Sequence, residues 1–179
     1  MPALVSGLEK LAKTYAEVHV YLDPGNHGKI GRFNDPRSKF DILLGHMLRF
    51  ATQNIKNIKW NISDDWKQSI EISGCKFLLI HGHQIRMYLR TPYYGIENKG
   101  LGWNAIMEDP FDYLIMGHFH HSTAGNDMPG FEVLMNGTWL SDDEWALEQL
   151  ARSSSTKQLF FGIHPRRGVS WRYKLDVTH

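Results

Sequence analysis

The strongest constraint on this chain is Phe77-Leu78-Leu79-Ile80-His81-Gly82-His83, an unbroken apolar run that ends in two histidines spaced by a glycine. A run that apolar predicts a strand buried on both faces, the condition of parallel sheets covered by other layers. Side chains just past the carboxyl ends of such strands face the crevice where open α/β sheets bind ligands. The same grammar recurs twice. Val18-His19-Val20-Tyr21-Leu22 leads into Gly25-Asn26-His27, and Tyr113-Leu114-Ile115-Met116 leads into Gly117-His118-Phe119-His120. Strands that each deliver imidazole or amide groups at one kind of position predict converging ends and a shared metal site. Asn26, His81 and His118 are its expected centre, with the strands bearing His81 and His118 side by side.

Composition narrows the class. With 179 residues, 42% hydrophobic and 22% charged, a single α/β domain spanning 1–179 with a substantial core is expected. The net charge of +1 argues against a partner held by bulk charge, while leaving local phosphate contacts open. Cys75 is the lone cysteine, which excludes a disulfide framework and a thiolate zinc cluster. No run approaches the roughly 18 apolar residues of a membrane helix, and charges stand where a signal peptide needs its apolar segment. A cytoplasmic protein without a membrane partner is the expectation.

Along the chain, Leu4, Leu8, Leu11 and Tyr15 form one helical stripe. A strand over Glu17–Leu22 follows, and Glu17-x-His19 within it reads as an ordinary strand face. Asp35-Pro36 predicts a helix start, after which Phe40, Leu43, Leu44, Met47, Leu48 and Ala51 keep the spacing of a core-facing stripe, with His46 off it. Ile58, Trp60 and Ile62 alternate as a half-buried strand, as do Ile70 and Ile72 after the Ser63-Asp64-Asp65 turn. From Gln84 to Pro110 the pattern dissolves into a loop with one short helix, containing Arg86, Arg90, Tyr93, Tyr94 and Trp103. Either a substrate-facing segment or a plain surface excursion fits it. A polar loop, Ser122–Gly130, returns into a strand over Phe131–Met135, and Asn136-Gly137 is a tight-turn signal. Ser141 can cap a helix whose first turn carries Asp142, Asp143 and Glu144, matching the helix dipole rather than a metal site. Strands over Gln158–Ile163 and Val169–Val177 close the chain.

A lone histidine is usually structural, and His164 and His179 read that way. Paired His-x-His at a strand end is different, because strand alternation sets both rings on one side. Gly25-Asn26-His27, His81-Gly82-His83 and Gly117-His118-Phe119-His120, in that order, resemble the last three motifs of the calcineurin-like metallophosphoesterases. Asn136-Gly137-Thr138 with Asp143-Glu144 is similar to the sheet return of phage-type members. The resemblance runs from about Val18 to Val177. It implies an α/β fold, a sandwich of mixed β-sheets flanked by helices, here truncated at the amino-terminal end. It also implies a hydrolase that cleaves phosphodiesters, nucleic acid among the candidate substrates, working in a host cytoplasm if the chain is phage-encoded.

By the same resemblance Asn26, His81 and His118 would bind one metal and His120 the other. His27 would protonate the leaving oxygen, and His83 would touch substrate or support the ligands. Imidazole and amide ligands suit manganese, iron, nickel or zinc. Lys29 and Arg32, with Arg37, follow the Asn-His loop and could assist phosphate binding, although each also reads as a solvated charge.

The departures are as informative. The family opens with Asp-x-His and Gly-Asp-x-x-Asp, and neither motif occurs here. Gly28 also stands where many members carry an acid. Every carboxylate ligand is therefore missing, and neutral ligands leave the repulsion of two adjacent divalent ions unopposed. At most one ion is expected in this chain alone. Two hypotheses follow. One is a phosphodiesterase whose amino-terminal segment, with the carboxylate motifs, lies on another, complementing polypeptide or was cut from this one. The other is a catalytically incomplete remnant acting as a structural or interaction module. Self-association is expected in either case, since losing the first strands uncovers sheet edges and apolar surface. A metallo-β-lactamase site would need His-x-His-x-Asp-His; Ile85 and Arg86 follow His83, so that reading fails.

Overall fold

The computed structural model describes residues 1–30, 39–123, 125–139 and 156–177. The chain forms two compact units, Met1–Gln68 and Ser69–His179. No helix among the described residues is long and apolar enough to cross a membrane.

The first unit is built on α1 (Pro2–Thr14), β1 (Val18–Leu22), α2 (Phe40–Ala51) and β2 (Ile58–Ile62). β1 and β2 pair in parallel from Val18↔Ile58 to Leu22↔Ile62, with α2 as the crossover. α2 lies close on this pair at Gly45, where a Cβ would stand 3.0 Å from Leu22 Cδ1 and 3.3 Å from Ile62 Cδ1. Thr52, buried past the helix end, donates to Leu48 O at 2.9 Å and accepts from Trp60 Nε1 at 3.1 Å. The Asn57 amide donates to Ala12 O at 2.8 Å and Tyr15 O at 3.0 Å, satisfying carbonyls at the end of α1.

The helical stripes do not bury as their spacing suggests. Of the α2 residues, Gly45 and Leu48 are buried, whereas Phe40, Leu43, Leu44, Met47 and Phe50 are exposed. α1 buries none of its residues. The small Gly45 sets which face approaches the strands, and the larger side chains are turned away. Asp35-Pro36, expected to start α2, lies outside the described residues; α2 begins at Phe40 behind an extended Lys39.

The second unit holds a five-stranded sheet in the order β3 (Lys67–Ile72), β4 (Cys75–Ile80), β5 (Tyr113–Met116), β7 (Phe131–Met135) and β6 (Asn126–Met128). β4, β5 and β7 are parallel, and β6 closes the edge antiparallel to β7. Phe77, Leu78, Ile80, Leu114, Met116, Val133, Leu134 and Met135 are the fully buried centre, as the apolar runs predict. Burying strands of this kind on both faces is worth about 25 cal/mol per Å² of apolar surface.

Each face has its own cover. On one lies the antiparallel hairpin of β8 (Lys157–His164) and β9 (Gly168–Asp176). Phe161 stacks on Phe77 with ring centroids 6.4 Å apart, Tyr113 Oη accepts from Val169 N at 3.0 Å, and Arg172 pairs with Glu132 at 2.6 Å. On the other lies α3 (Tyr93–Ile106), whose Ile96 is wholly buried and whose Gly100 abuts the Phe131 ring. This is an α/β sandwich of mixed sheets flanked by helices, the architecture that the sequence resemblance implied.

Three local expectations need correction. The stretch after Gln84 is not mostly loop, because α3 occupies 14 residues of it. Its glycines suppressed the helical signal, yet Gly95 sits against Arg86 O and Gly100 against Phe131, where any side chain would collide. The polar return after Ser122 contains a further strand, β6. Asn136-Gly137 is not a hairpin turn. Asn136 Oδ1 accepts from Leu159 N at 2.7 Å and its Nδ2 donates to Gln158 Oε1 at 2.8 Å, while Gly137 abuts Lys157 O. The dipeptide is a seam between β7 and β8.

Candidate metal centre

In the second unit, β4 and β5 run in register to Ile80↔Met116, so His81 and Gly117 emerge as neighbours; Gly117 N donates to His81 O at 3.1 Å. The chain then bends at both strand ends. Gly82 takes φ +113°, and Ile85 N closes a turn onto Gly82 O at 3.0 Å. A Cβ on Gly82 would lie 2.8 Å from Met116 Cε and 3.2 Å from His118 Cβ. Only glycine lets the two loops approach so closely. His118 and His120 both adopt the left-handed region, at φ 65° and 57°, with Phe119 N donating back to Gly117 O at 2.7 Å.

These bends bring imidazoles together. His118 Nδ1 and His81 Nε2 are 3.2 Å apart, so one ring nitrogen donates to the other. The ring of His83 lies 5.5 Å from that of His81 and 6.3 Å from that of His118. The strand alternation invoked for His-x-His is not the cause, since β4 ends at Ile80; the Gly82 bend is. His120 is exposed.

A spacing of 3.2 Å suits a shared ion. Two bonds of about 2.0–2.1 Å meeting at about 100° leave their nitrogens about that far apart. No group of three His, Cys, Asp or Glu side chains among the described residues is arranged to hold a metal. The pair thus offers two of the donors an ion needs.

In the first unit, β1 runs out at Leu22 into Asp23-Pro24-Gly25-Asn26-His27. Gly25 N donates to Asp41 Oδ2 at 3.0 Å, Lys39 Nζ donates to Gly25 O at 2.7 Å, and Phe40 N donates to Gly28 O at 2.6 Å. Pro24 is buried, Asn26 half-buried, and His27 and Lys29 exposed. Arg32 and Arg37 lie outside the described residues, as do Ser141, Asp142, Asp143, Glu144 and His179.

Asp23 was not singled out by its sequence context. Burial lifts its carboxyl to about 6, against a hydrogen bond from Gln68 Nε2 at 3.2 Å that favours the ionised form, with Asp65 adding to the rise and Lys67 opposing it. Its Oδ2 has no hydrogen-bond partner among the described residues. Sequence context does not single out Asp41 either: a helix start at Asp35-Pro36 would put it past the first turn, whereas α2 begins at Phe40 and places it there.

Two other sites behave as expected. Glu17 and His19 form an exposed pair at 2.8 Å, a strand-surface contact. His164 organises the β8–β9 turn, its Nδ1 accepting from Arg166 N at 3.1 Å.

No protein-family model and no curated protein matches the chain. Solved structures overlap it loosely. Vps29 of Entamoeba histolytica complexed with zinc superposes with a TM-score of 0.42 at 17% identity, over 70% of this chain and 75% of that one. A novel archaeal phosphodiesterase gives 0.42 at 16%, over 77% and 64%, and Vps29 of Cryptosporidium parvum gives 0.43 at 14%, over 74% and 76%. At these identities and TM-scores the likeness concerns the path of the chain alone.

Proposed function

We propose that the chain is the histidine-bearing part of a metal-dependent phosphoesterase that hydrolyses phosphodiesters, with nucleic acid among its candidate substrates. The observation that carries this reading is the His81–His118 pair, two nitrogens 3.2 Å apart at the ends of adjacent parallel strands. The left-handed backbone at His118 and His120 supports it, since such conformations cost on the order of 1 kcal/mol each and concentrate at working sites.

In this reading His81 and His118 hold one divalent ion of the manganese, iron, nickel or zinc type, with Asn26 as a further ligand. His120 serves a second ion. His83 touches substrate or supports the ligands, and Lys29 and Arg32 are candidates to assist phosphate binding. His27 gives its proton to the leaving oxygen. When bound, the metal would supply a Lewis acid for the phosphoryl oxygen and a lowered pKa for the attacking water. Without the Asp-x-His and Gly-Asp-x-x-Asp motifs to bridge them, two ions are not held together, and the chain binds one ion and turns over very slowly by itself.

Metal titration with an aryl phosphodiester assay tests this, with and without an added polypeptide carrying Asp-x-His and Gly-Asp-x-x-Asp. We expect about one metal equivalent and negligible turnover alone, then a second equivalent and turnover on complementation. His81→Ala and His118→Ala should each abolish the first equivalent. His27→Ala in the complemented complex should slow poor leaving groups selectively, because a stable leaving anion needs no proton. Robust manganese-dependent activity from the isolated chain would sink the ligand-count reasoning.

An interaction module is the second reading, favoured by the exposed apolar residues of α2. Persistent silence on complementation, with one metal still bound, would select it.

A further inference from the structure

We propose that Asp41 is a positioning residue for the Asn26–His27 loop: its carboxylate, delivered from the first turn of α2, fills the volume left open at Gly28 and pins the loop through the Gly25 N–H. This rests on the reading of Asn26 and His27 as site residues.

Asp41 Oδ2 accepts from Gly25 N at 3.0 Å across 16 residues of sequence. The two residues before it complete the grip. Lys39, only 3% exposed, donates its ammonium to Gly25 O at 2.7 Å, and Phe40 N donates to Gly28 O at 2.6 Å. Both peptide groups of Gly25 are therefore held by charged side chains from the start of α2. Such charge-assisted bonds are shorter and stronger than neutral ones. They fix the loop that carries the half-buried Asn26 and the exposed His27.

Gly28 shows that the carboxylate has a built seat. A Cβ at this position would lie 2.6 Å from Asp41 Cγ and Oδ1, and closer still to Oδ2. Its φ is not left-handed, so the glycine is there for volume and not for backbone freedom. A side chain on residue 28 and the Asp41 carboxylate compete for one space. α2 has no side-chain bond at its N-cap, and the acid in its first turn makes its bond to the loop, at Gly25 N.

The test is amide hydrogen exchange by NMR on the full chain, comparing Asp41→Ala, Asp41→Asn, Gly28→Asp and the double variant Gly28→Asp/Asp41→Ala. We expect Asp41→Ala to speed exchange at Gly25 at least tenfold while Val18–Leu22 stay protected. Asp41→Asn preserves the shape and is the readout if the alanine variant loses the β1–β2 ladder; it should speed Gly25 exchange several-fold. Gly28→Asp alone should also expose Gly25, because two carboxylates cannot share the seat, and the double variant should restore protection. Unchanged Gly25 exchange in both Asp41 variants, or a double variant no better than Gly28→Asp alone, overturns the proposal. Exchange is read without any assay of hydrolysis. An inactive complemented protein with this exchange pattern refutes the phosphoesterase reading and leaves Asp41 in place. An active one without the pattern refutes Asp41 alone.

Discussion

Gly82 is the residue on which the candidate centre depends most. Its φ of +113° and the closeness of Met116 Cε and His118 Cβ leave no room for a side chain. Gly82→Ala should cost about 1–3 kcal/mol in urea unfolding and weaken metal binding, because His81 and His118 are driven apart. Full stability and unchanged metal affinity would show that the loops do not need this approach. Asp23 offers a second, independent reading. Its carboxyl is raised from 3.8 to about 6, so the fold favours the protonated form. The stability it contributes is present below about pH 3.8 and is lost as pH rises through about 6. Asp23→Asn should match the parent near pH 4 and exceed it at pH 7 by about 1–2 kcal/mol, discounted for partial exposure. Parallel pH profiles of the urea midpoint would contradict this.

At the scale of elements, α3 shows one residue type with opposite roles. A Cβ at Gly100 would stand 2.8 Å from Phe131 Cε1, while Gly102 has nothing within 4 Å. Gly102→Ala should stabilise by up to about 1 kcal/mol through helix propensity. Gly100→Ala should instead cost about 1–3 kcal/mol, since overpacking against a buried ring outweighs that gain. Thermal unfolding of the two single variants decides it, and equal signs would refute the packing account. The same helix explains why it was hard to read. Gly95 and Gly100 look like breakers when only neighbours in sequence are considered, and become close-packing positions once Arg86 and Phe131 arrive.

For the whole molecule, the exposed apolar face of α2 bears on association. Phe40, Leu43, Leu44, Met47 and Phe50 are 37–72% exposed. Clusters of that size on a water-facing helix usually meet another protein surface. We therefore propose that the chain self-associates, and light scattering should show a concentration-dependent mass that falls in Leu43→Glu/Met47→Glu. A clean monomer at all concentrations would count against it.

The sequence by itself determined the buried strands of the sheet and the delivery of His81 and His118 to neighbouring strand ends. Continuous apolar runs have few ways to hide from water, and a parallel register then fixes which residues emerge together. It also carried the α/β class and the His-bearing motifs. Tertiary structure alone decided which face of α2 turns inward, that 93–106 is helical, and that Asn136 ties β7 to β8. It decided as well that Asp41 and Lys39 hold the Gly25 loop. The reason is common to all of these. Each depends on a partner distant in the chain, whether the Leu22 side chain, the Phe131 ring, the Leu159 amide or the Gly25 peptide, and local periodicity cannot contain it.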